Sequence, residues 1–314
     1  MSRRPHPPPI LIMTIGVFAI SFSAIFIRWA QVETVPSLVI ATWRTGLAAV
    51  FLLPFALAGR RRELAGLTAV DWGLALLSGG MLGIHFGTWI SSLAYTTVTS
   101  SLVLVATSPL WVGLASPLVL KEPLSRSLKL GLLMAMVGSV IIGMSELVSI
   151  VDGRVVLNLG QLAGASRPLL GDGLALLGAV TAAVYLIIGR RLRKKLSLLS
   201  YTTVVYGVAA VTLLLTSLLR GLDLIGYTPR VYLLFLLMAL FPQLIGHSSF
   251  NWVLGFLPAA YVAVVVISEP IGASILAMFF FREFPGPVVI LGGALILAGI
   301  VKVSRPDNVP TESG

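Results

Sequence analysis

Apolar residues along this chain fall into long runs, near 10–30, 37–58, 72–94, 98–120, 128–148, 171–189, 200–219, 231–254, 257–281 and 286–304. Each run is close to the roughly 20 residues that a helix needs to cross a bilayer. None shows the strict apolar–polar alternation of a membrane barrel strand. A segment in lipid must also satisfy its own backbone N–H and C=O groups, which a helix does and a lone strand cannot. The pattern predicts an all-α membrane protein with ten transmembrane helices. The sixth run is the weakest, hemmed in by Asp172 and by the basic run 190–195. One long connection, 149–170, carries Gly, Asn, Gln and Pro and separates residues 1–148 from residues 171–314, five predicted helices on each side.

Composition agrees with this class. The 314 residues are 57% hydrophobic and 11% charged, with a mean hydropathy of +0.99. Soluble domains carry about 25% charged residues, so this chain has too little polar surface to cover a globule in water. The net charge of +10 does not point to nucleic acid, because the basic residues cluster in the short connections. With the N-terminus inside, fifteen of the 22 Lys and Arg fall on the cytoplasmic side and six on the outer side, with Arg44 inside a span. That asymmetry predicts both termini in the cytoplasm and a multi-pass protein of the cytoplasmic membrane. Arg3 and Arg4 lead into the first helix with no small-residue cleavage pattern after it, so the start reads as a cytoplasmic tail. Zero cysteines exclude disulfides and thiolate metal sites.

The two halves repeat. At an offset of 161, Gly46 falls on Gly207, Pro109 on Pro270, Glu122 on Glu283, Gly131 on Gly292 and Gly138 on Gly299. The first helices match at 162, with Gly16 on Gly178 and Arg28 on Arg190, and His85 and His247 lie one residue out of register. Five helices per half is an odd number, so the second half must enter the membrane from the opposite side. The expected architecture is an inverted repeat with a site near the midplane between the halves.

At this point the chain resembles the drug/metabolite transporter superfamily, in its ten-helix EamA-type branch. The residues that carry the resemblance are Trp43, Arg44, Thr45 and Gly46 in the second helix; Pro109 followed by Glu122; Glu269 and Pro270 followed by Glu283; and the stretch starting at Gly171 and Asp172. The resemblance covers about residues 10–304. It implies a cytoplasmic-membrane transporter, usually an exporter of amino acids or other small metabolites, with a central cavity lined by both repeats. It does not name the substrate.

Among candidate residues, Glu269 stands first. It lies about 12 residues from either end of its run, roughly 18 Å deep at 1.5 Å per residue. A charge at that depth costs about 2.5–3.5 kcal/mol on insertion scales. A cavity-facing carboxylate that binds an amine or exchanges a proton would justify that cost; a hydrogen-bonded brace for a broken helix would also do so. Its repeat counterpart is the neutral Ser108. Pro109 and Pro270 each deny a bond to a carbonyl one turn earlier, at Val105 and Val266, and are expected to be structural or gating residues. Arg44, about 10 Å into its span, either snorkels outward beside Trp43, pairs internally or holds a substrate carboxylate; a structural role is expected.

Gln243, His247 and Asn251 stand at i, i+4 and i+8, one polar stripe on an apolar helix, and are expected to line the cavity. On the third helix Gly79, Gly83 and Gly87 form a small-residue ridge for close packing, leaving His85, Trp89 and Ser92 on a different face, available to the cavity. Tyr185 with Thr181, and Ser23, are further cavity candidates. Trp29, Trp72 and Tyr227 sit at span ends as interfacial anchors. Glu122 and Glu283, each just before a proline-containing turn, are expected to cap the next helix.

These features together predict a secondary transporter exporting small organic solutes by alternating access, the expected partners being a small-molecule substrate and the bilayer, with proton coupling left open. A facilitative pore, or an uptake permease for a sugar or nucleoside, is the alternative. The sequence holds no Walker motif, no His-Glu-x-x-His or Gly-x-Ser-x-Gly turn and no ring of repeated charges, so no cofactor, metal or enzymatic activity is expected. Oligomeric state is left open.

Overall fold

A computed structural model describes residues 7–92, 95–96, 101, 104–144, 148–151, 154–157, 168–282 and 284–303. The first half contains α1 (Pro9–Val32), α2 (Ser37–Gly59), the short α3 (Arg61–Ala65), α4 (Ala69–Ser92), α5 (Ser108–Val119) and α6 (Arg126–Gly143). The second contains α7 (Pro168–Arg193), α8 (Leu198–Leu219), α9 (Pro229–Met238), a π-helical stretch (Ala239–His247), α10 (Ser248–Val253), α11 (Ala259–Val266), α12 (Glu269–Phe281) and α13 (Pro287–Val303). The starts have local causes. Pro9 occupies the first turn of α1, where its missing N–H is not needed. Ser125, Ser197 and Thr228 each accept a backbone N–H from the first turn of α6, α8 and α9, satisfying donors that the helix leaves unpaired.

Seven segments among the described residues are long and apolar enough to cross a membrane, from Pro9–Val32 to Ala259–Phe281, and Ser108–Val119 and Pro287–Val303 are shorter apolar helices. The molecule is therefore a helical membrane protein. Four local findings differ from the sequence expectation. The sixth run is the longest helix, 26 residues, because the basic residues through Arg193 continue it. The connection after α6 carries a two-stranded antiparallel hairpin, Val148–Val151 with Arg154–Leu157, so the chain is not wholly helical. The ninth run is two helices, with Ile267 and Ser268 between them and Pro270 in the first turn of the second. The eighth run is π-helical around Pro242, whose missing N–H breaks the regular ladder and lets the chain slip to wider turns.

Packing is closest where glycines let backbones touch. In the antiparallel pair α6 and α13, a Cβ added to Gly138 would stand 2.6 Å from the Gly292 carbonyl oxygen, and one added to Gly292 would stand 2.6 Å from that of Gly138. Gly131 and Gly299 meet in the same reciprocal way at 2.8 Å. Gly79 and Gly83 press on Val208 and Thr212 of α8, which turns the other side of α4 toward the centre. Gly16 of α1 packs on Ser249 and Phe250, while Gly178 of α7 packs on Thr88 and Trp89. Helices of one half thus pack chiefly on helices of the other.

Candidate functional site

Between the halves lies a cavity of about 450 Å³. It reaches from mid-helix to the face where α1, α6 and α12 end, with Arg28, Ile142 and Phe281 along its border. Exposed Arg28 stands at this mouth, its guanidinium 4.4 Å over the Phe281 ring. Two helix breaks form the deep wall. In one, Ser268 Oγ donates to the Val265 carbonyl at 2.6 Å; in the other, Thr107 Oγ1 donates to the Leu104 carbonyl at 2.6 Å. These hydroxyls occupy matched repeat positions, and each gives a carbonyl at the break a side-chain donor. Val105 and Val266, whose carbonyls face the proline positions, both border the cavity. Pro109 and Pro270 therefore begin half-helices; they do not kink continuous ones.

Glu269 is the first residue of α12 and lines the cavity. A carboxylate there also meets the positive end of the half-helix dipole. Ser108, its repeat counterpart, opens α5 and lines the same space. His85, Trp89, Ser23, Tyr185 and His247 line it as well. His85 Nδ1 lies 2.9 Å from the Gly178 carbonyl oxygen; a carbonyl can only accept, so that nitrogen carries a proton. The His85 ring stacks on Trp89 at 6.0 Å.

Arg44 corrects one expectation and sharpens another. It does not snorkel: its side chain turns inward and is only 3% exposed, while Trp43 donates its indole N–H to the Leu224 carbonyl at 2.8 Å and stacks on Phe235. Arg44 Nε donates to Gln243 Oε1 at 2.8 Å and Nη1 to Ser23 Oγ at 3.1 Å, and the guanidinium lies 4.7 Å from the Phe86 ring centre. Arg44 borders the cavity, and its Nη2 is buried with no hydrogen-bond partner among the described residues.

The expected polar stripe divides. His247 faces the cavity, whereas Gln243 and Asn251 do not border it. Gln243 holds Arg44. Asn251 accepts the Tyr185 hydroxyl at 2.6 Å and donates to Tyr206 at 3.2 Å, while Tyr206 also contacts Ser248 at 3.1 Å. The cause is the π-helical stretch: with more residues per turn, i and i+4 no longer stack. Ser92 likewise bonds to Ser101 at 2.6 Å, away from the cavity wall.

The opposite face is tied shut by charged groups, the basic ones offered by the sequence only as topology signals and Glu122 as a helix cap. Glu122 Oε1 accepts Arg190 Nε at 2.7 Å and Lys194 Nζ at 3.2 Å, so it joins the end of α5 to α7 and does not cap α6; the cap there is Ser125. Arg190 Nη1 donates to the Leu254 carbonyl at 2.9 Å, and Arg193 donates to the carbonyls of Asn251 and Leu196. Lys195 pairs with Asp71 at 3.0 Å. Glu63 accepts the Ser197 backbone N–H at 2.6 Å. Burial pushes the Glu63 carboxyl up, but the Ser197 and Ser200 bonds and nearby Arg60 outweigh it and hold it below the usual carboxylate range. The Glu283 expectation lies outside the described residues.

A bundle of apolar helices with two helix breaks beside a cavity that has charged groups in its wall is the form of a membrane transport protein. A family model for the EamA-like transporter family matches residues 7–144 and 169–305. The chain belongs to that family and is a membrane transporter. An uncharacterized transporter of Bacillus subtilis (strain 168), YyaM, is 24% identical, covering 84% of this chain and 85% of its own. An uncharacterized transporter of Archaeoglobus fulgidus is also 24% identical, covering 93% of this chain and 94% of its own. One solved crystal structure shares the fold with a TM-score of 0.74 at 18% identity, covering 94% of this chain and 96% of its own.

Proposed function

We propose that this transporter is a secondary carrier that exports amino acids or related small metabolites across the cytoplasmic membrane by alternating access. Its ten spans would form two inverted five-helix repeats with both termini cytoplasmic. The seven long apolar segments, the two shorter ones and α6 supply ten. The antiparallel pairing of Gly131 with Gly299 and of Gly138 with Gly292 is what a two-fold axis in the membrane plane produces, because each contact maps onto the other at the 161-residue offset. Fifteen of the 22 basic residues then lie inside, and the mouth beside Arg28 faces outward.

The observation that carries the reading is the pair Arg44 and Glu269. They line one cavity from helices of different halves, yet no ion pair joins them among the described residues. Opposite charges held apart in a low-dielectric site can be satisfied by a solute placed between them. Glu269 then binds an amine or exchanges a proton, Ser23, Ser108, Tyr185, His85, Trp89 and His247 complete the wall, and the breaks at Pro109 and Pro270 give the half-helices freedom to swing.

The test is flux in proteoliposomes. Amino-acid uptake into vesicles along an imposed gradient should saturate, at rates far below those of a channel, and Glu269→Gln should remove any proton dependence while the protein still folds. Ohmic single-channel currents would refute the carrier reading.

A further inference from the structure

On the face that is tied shut, the acids are drawn inward and the exposed charges are basic. Among the described residues Glu63, Asp71 and Glu122 are buried or half-buried there, and each is already engaged. The exposed positive charge gathers at one corner. Arg60, Arg61 and Arg62 follow directly on the end of α2 and are all exposed. Glu63 and Asp71 hold the chain at 195–197 beside them, through the Ser197 N–H at 2.6 Å and Lys195 at 3.0 Å. Lys195 stays 60% exposed in spite of that pair. Arg60 makes only a 3.7 Å contact with Glu63, and the Arg61 and Arg62 side chains have no ion pair among the described residues.

This corner lies at the depth of lipid headgroups. The 23 residues of α2 span about 35 Å at 1.5 Å per residue, against a hydrocarbon core of about 30 Å, so Arg60 stands just past its edge. Phe51, Phe55 and Leu57 on α2 and Val70, Trp72 and Leu76 on α4 are exposed, which puts an apolar, acyl-facing flank next to the arginines. Topology alone asks for basic residues on one side of the membrane. It does not ask that they adjoin one another at a lipid-facing corner, with the local acids turned inward.

We propose that the corner made by Arg60, Arg61, Arg62 and Lys195 binds the phosphate of an anionic phospholipid in the leaflet on this face. In the proposed orientation that is the cytoplasmic leaflet, whose surface potential is negative and draws juxtamembrane basic clusters. The site is separate from the cavity and holds whether or not the protein is a carrier. A guanidinium presents its donors as a fork that matches phosphate oxygens, and the apolar flank takes the acyl chains. A zwitterionic lipid brings its own ammonium, which the cluster repels. A soluble phosphate meets the same charges but gains nothing from the flank.

The test uses the purified full chain in detergent, titrated with phosphatidylglycerol, phosphatidylcholine or inorganic phosphate. Native mass spectrometry counts the bound lipid, and thermal shift reads the stabilisation that binding to the folded state produces. Phosphatidylglycerol should be retained and should raise the melting temperature; the other two should do neither. A basic residue near a membrane surface contributes roughly fivefold in affinity, so Arg61→Gln with Arg62→Gln should weaken phosphatidylglycerol binding about 30-fold. The lipid-free protein should melt unchanged in that variant, because both side chains are exposed and unpaired. Arg126→Gln with Lys129→Gln removes the same charge from other exposed residues of α6 and should leave lipid binding close to that of the parent. Equal retention of the two lipids, unchanged binding in the Arg61 and Arg62 variant, or an equal loss in both double variants overturns the site. A shift by inorganic phosphate as large as that by phosphatidylglycerol overturns the lipid as its occupant. None of these outcomes depends on flux, so failure here leaves the carrier reading standing.

Discussion

Replacing Glu122 with Gln tests whether the charged face opposite the mouth is a latch or only a brace. The Glu122 side chain is 17% exposed and that of Arg190 is 10% exposed, so their 2.7 Å contact is mostly out of water. Breaking a fully buried pair by removing one partner costs about 3–5 kcal/mol, because the remaining charge is stranded. Here Arg190 keeps its bond to the Leu254 carbonyl at 2.9 Å, and the Gln amide oxygen can still accept one bond, so about 2–3 kcal/mol is the fitting range. Glu122 also loses Lys194 at 3.2 Å, but that ammonium is 49% exposed and adds little. If this energy holds the face shut, about 2–3 kcal/mol shifts the balance between the two open states of the proposed alternating-access cycle by roughly 30- to 150-fold, at 1.4 kcal/mol per decade. The chain has no cysteine, so a single Ser108→Cys reporter on the cavity wall labels cleanly. A membrane-impermeant maleimide applied to right-side-out and everted vesicles should reach Cys only from the Arg28 side in the parent, and from both sides in Glu122→Gln. One-sided labelling in the variant, with a lowered melting temperature, would refute the latch and leave a scaffold contact.

Other perturbations probe different parts of the same construction. Gly138→Ala places a methyl 2.6 Å from the Gly292 carbonyl oxygen and should lower stability by about 1–3 kcal/mol, read as a fall in melting temperature in detergent; Gly80→Ala, which meets nothing within 4 Å, should leave it unchanged. Glu269→Gln keeps shape and removes charge, so flux of an amine-bearing solute should drop at least about tenfold while size-exclusion behaviour stays that of the parent. Glu63 is held below the usual carboxylate range, so its stabilising contact is present at neutral pH and is lost as pH falls through its folded value. The parent should therefore lose more stability between neutral and acid pH than Glu63→Gln does, measured by paired thermal melts.

The repeat explains both what could be read in the sequence and what could not. Apolar runs mark helices because lipid permits little else, and glycines at i and i+4 mark close packing because no other residue allows carbonyl contact. The proline-to-acid spacing is visible for a geometric reason: in each half a short helix runs from the break to a left-handed residue, Lys121 and Arg282, each at φ 56°. What the pattern hid depends on contacts between distant residues. Arg190 and Glu122 lie 68 positions apart, and a basic run counts as a topology signal whether or not it is paired. The Gln243–His247–Asn251 stripe misled for a local reason, since the wide turns near Pro242 change which positions share a face. The repeat also separates scaffold from selectivity. Features found in both halves, such as the broken helices, the hydroxyls at the breaks and the paired glycines, are those that the proposed two-fold architecture would require twice. Two of the cavity's charged groups, Glu269 and Arg44, are not duplicated: the position matching Glu269 is Ser108, and the position matching Arg44 is Val205, which is buried. In the proposed inverted repeat, a single solute crossing the pseudo-two-fold axis would have two different ends, and only an unsymmetrical pair of groups could tell them apart.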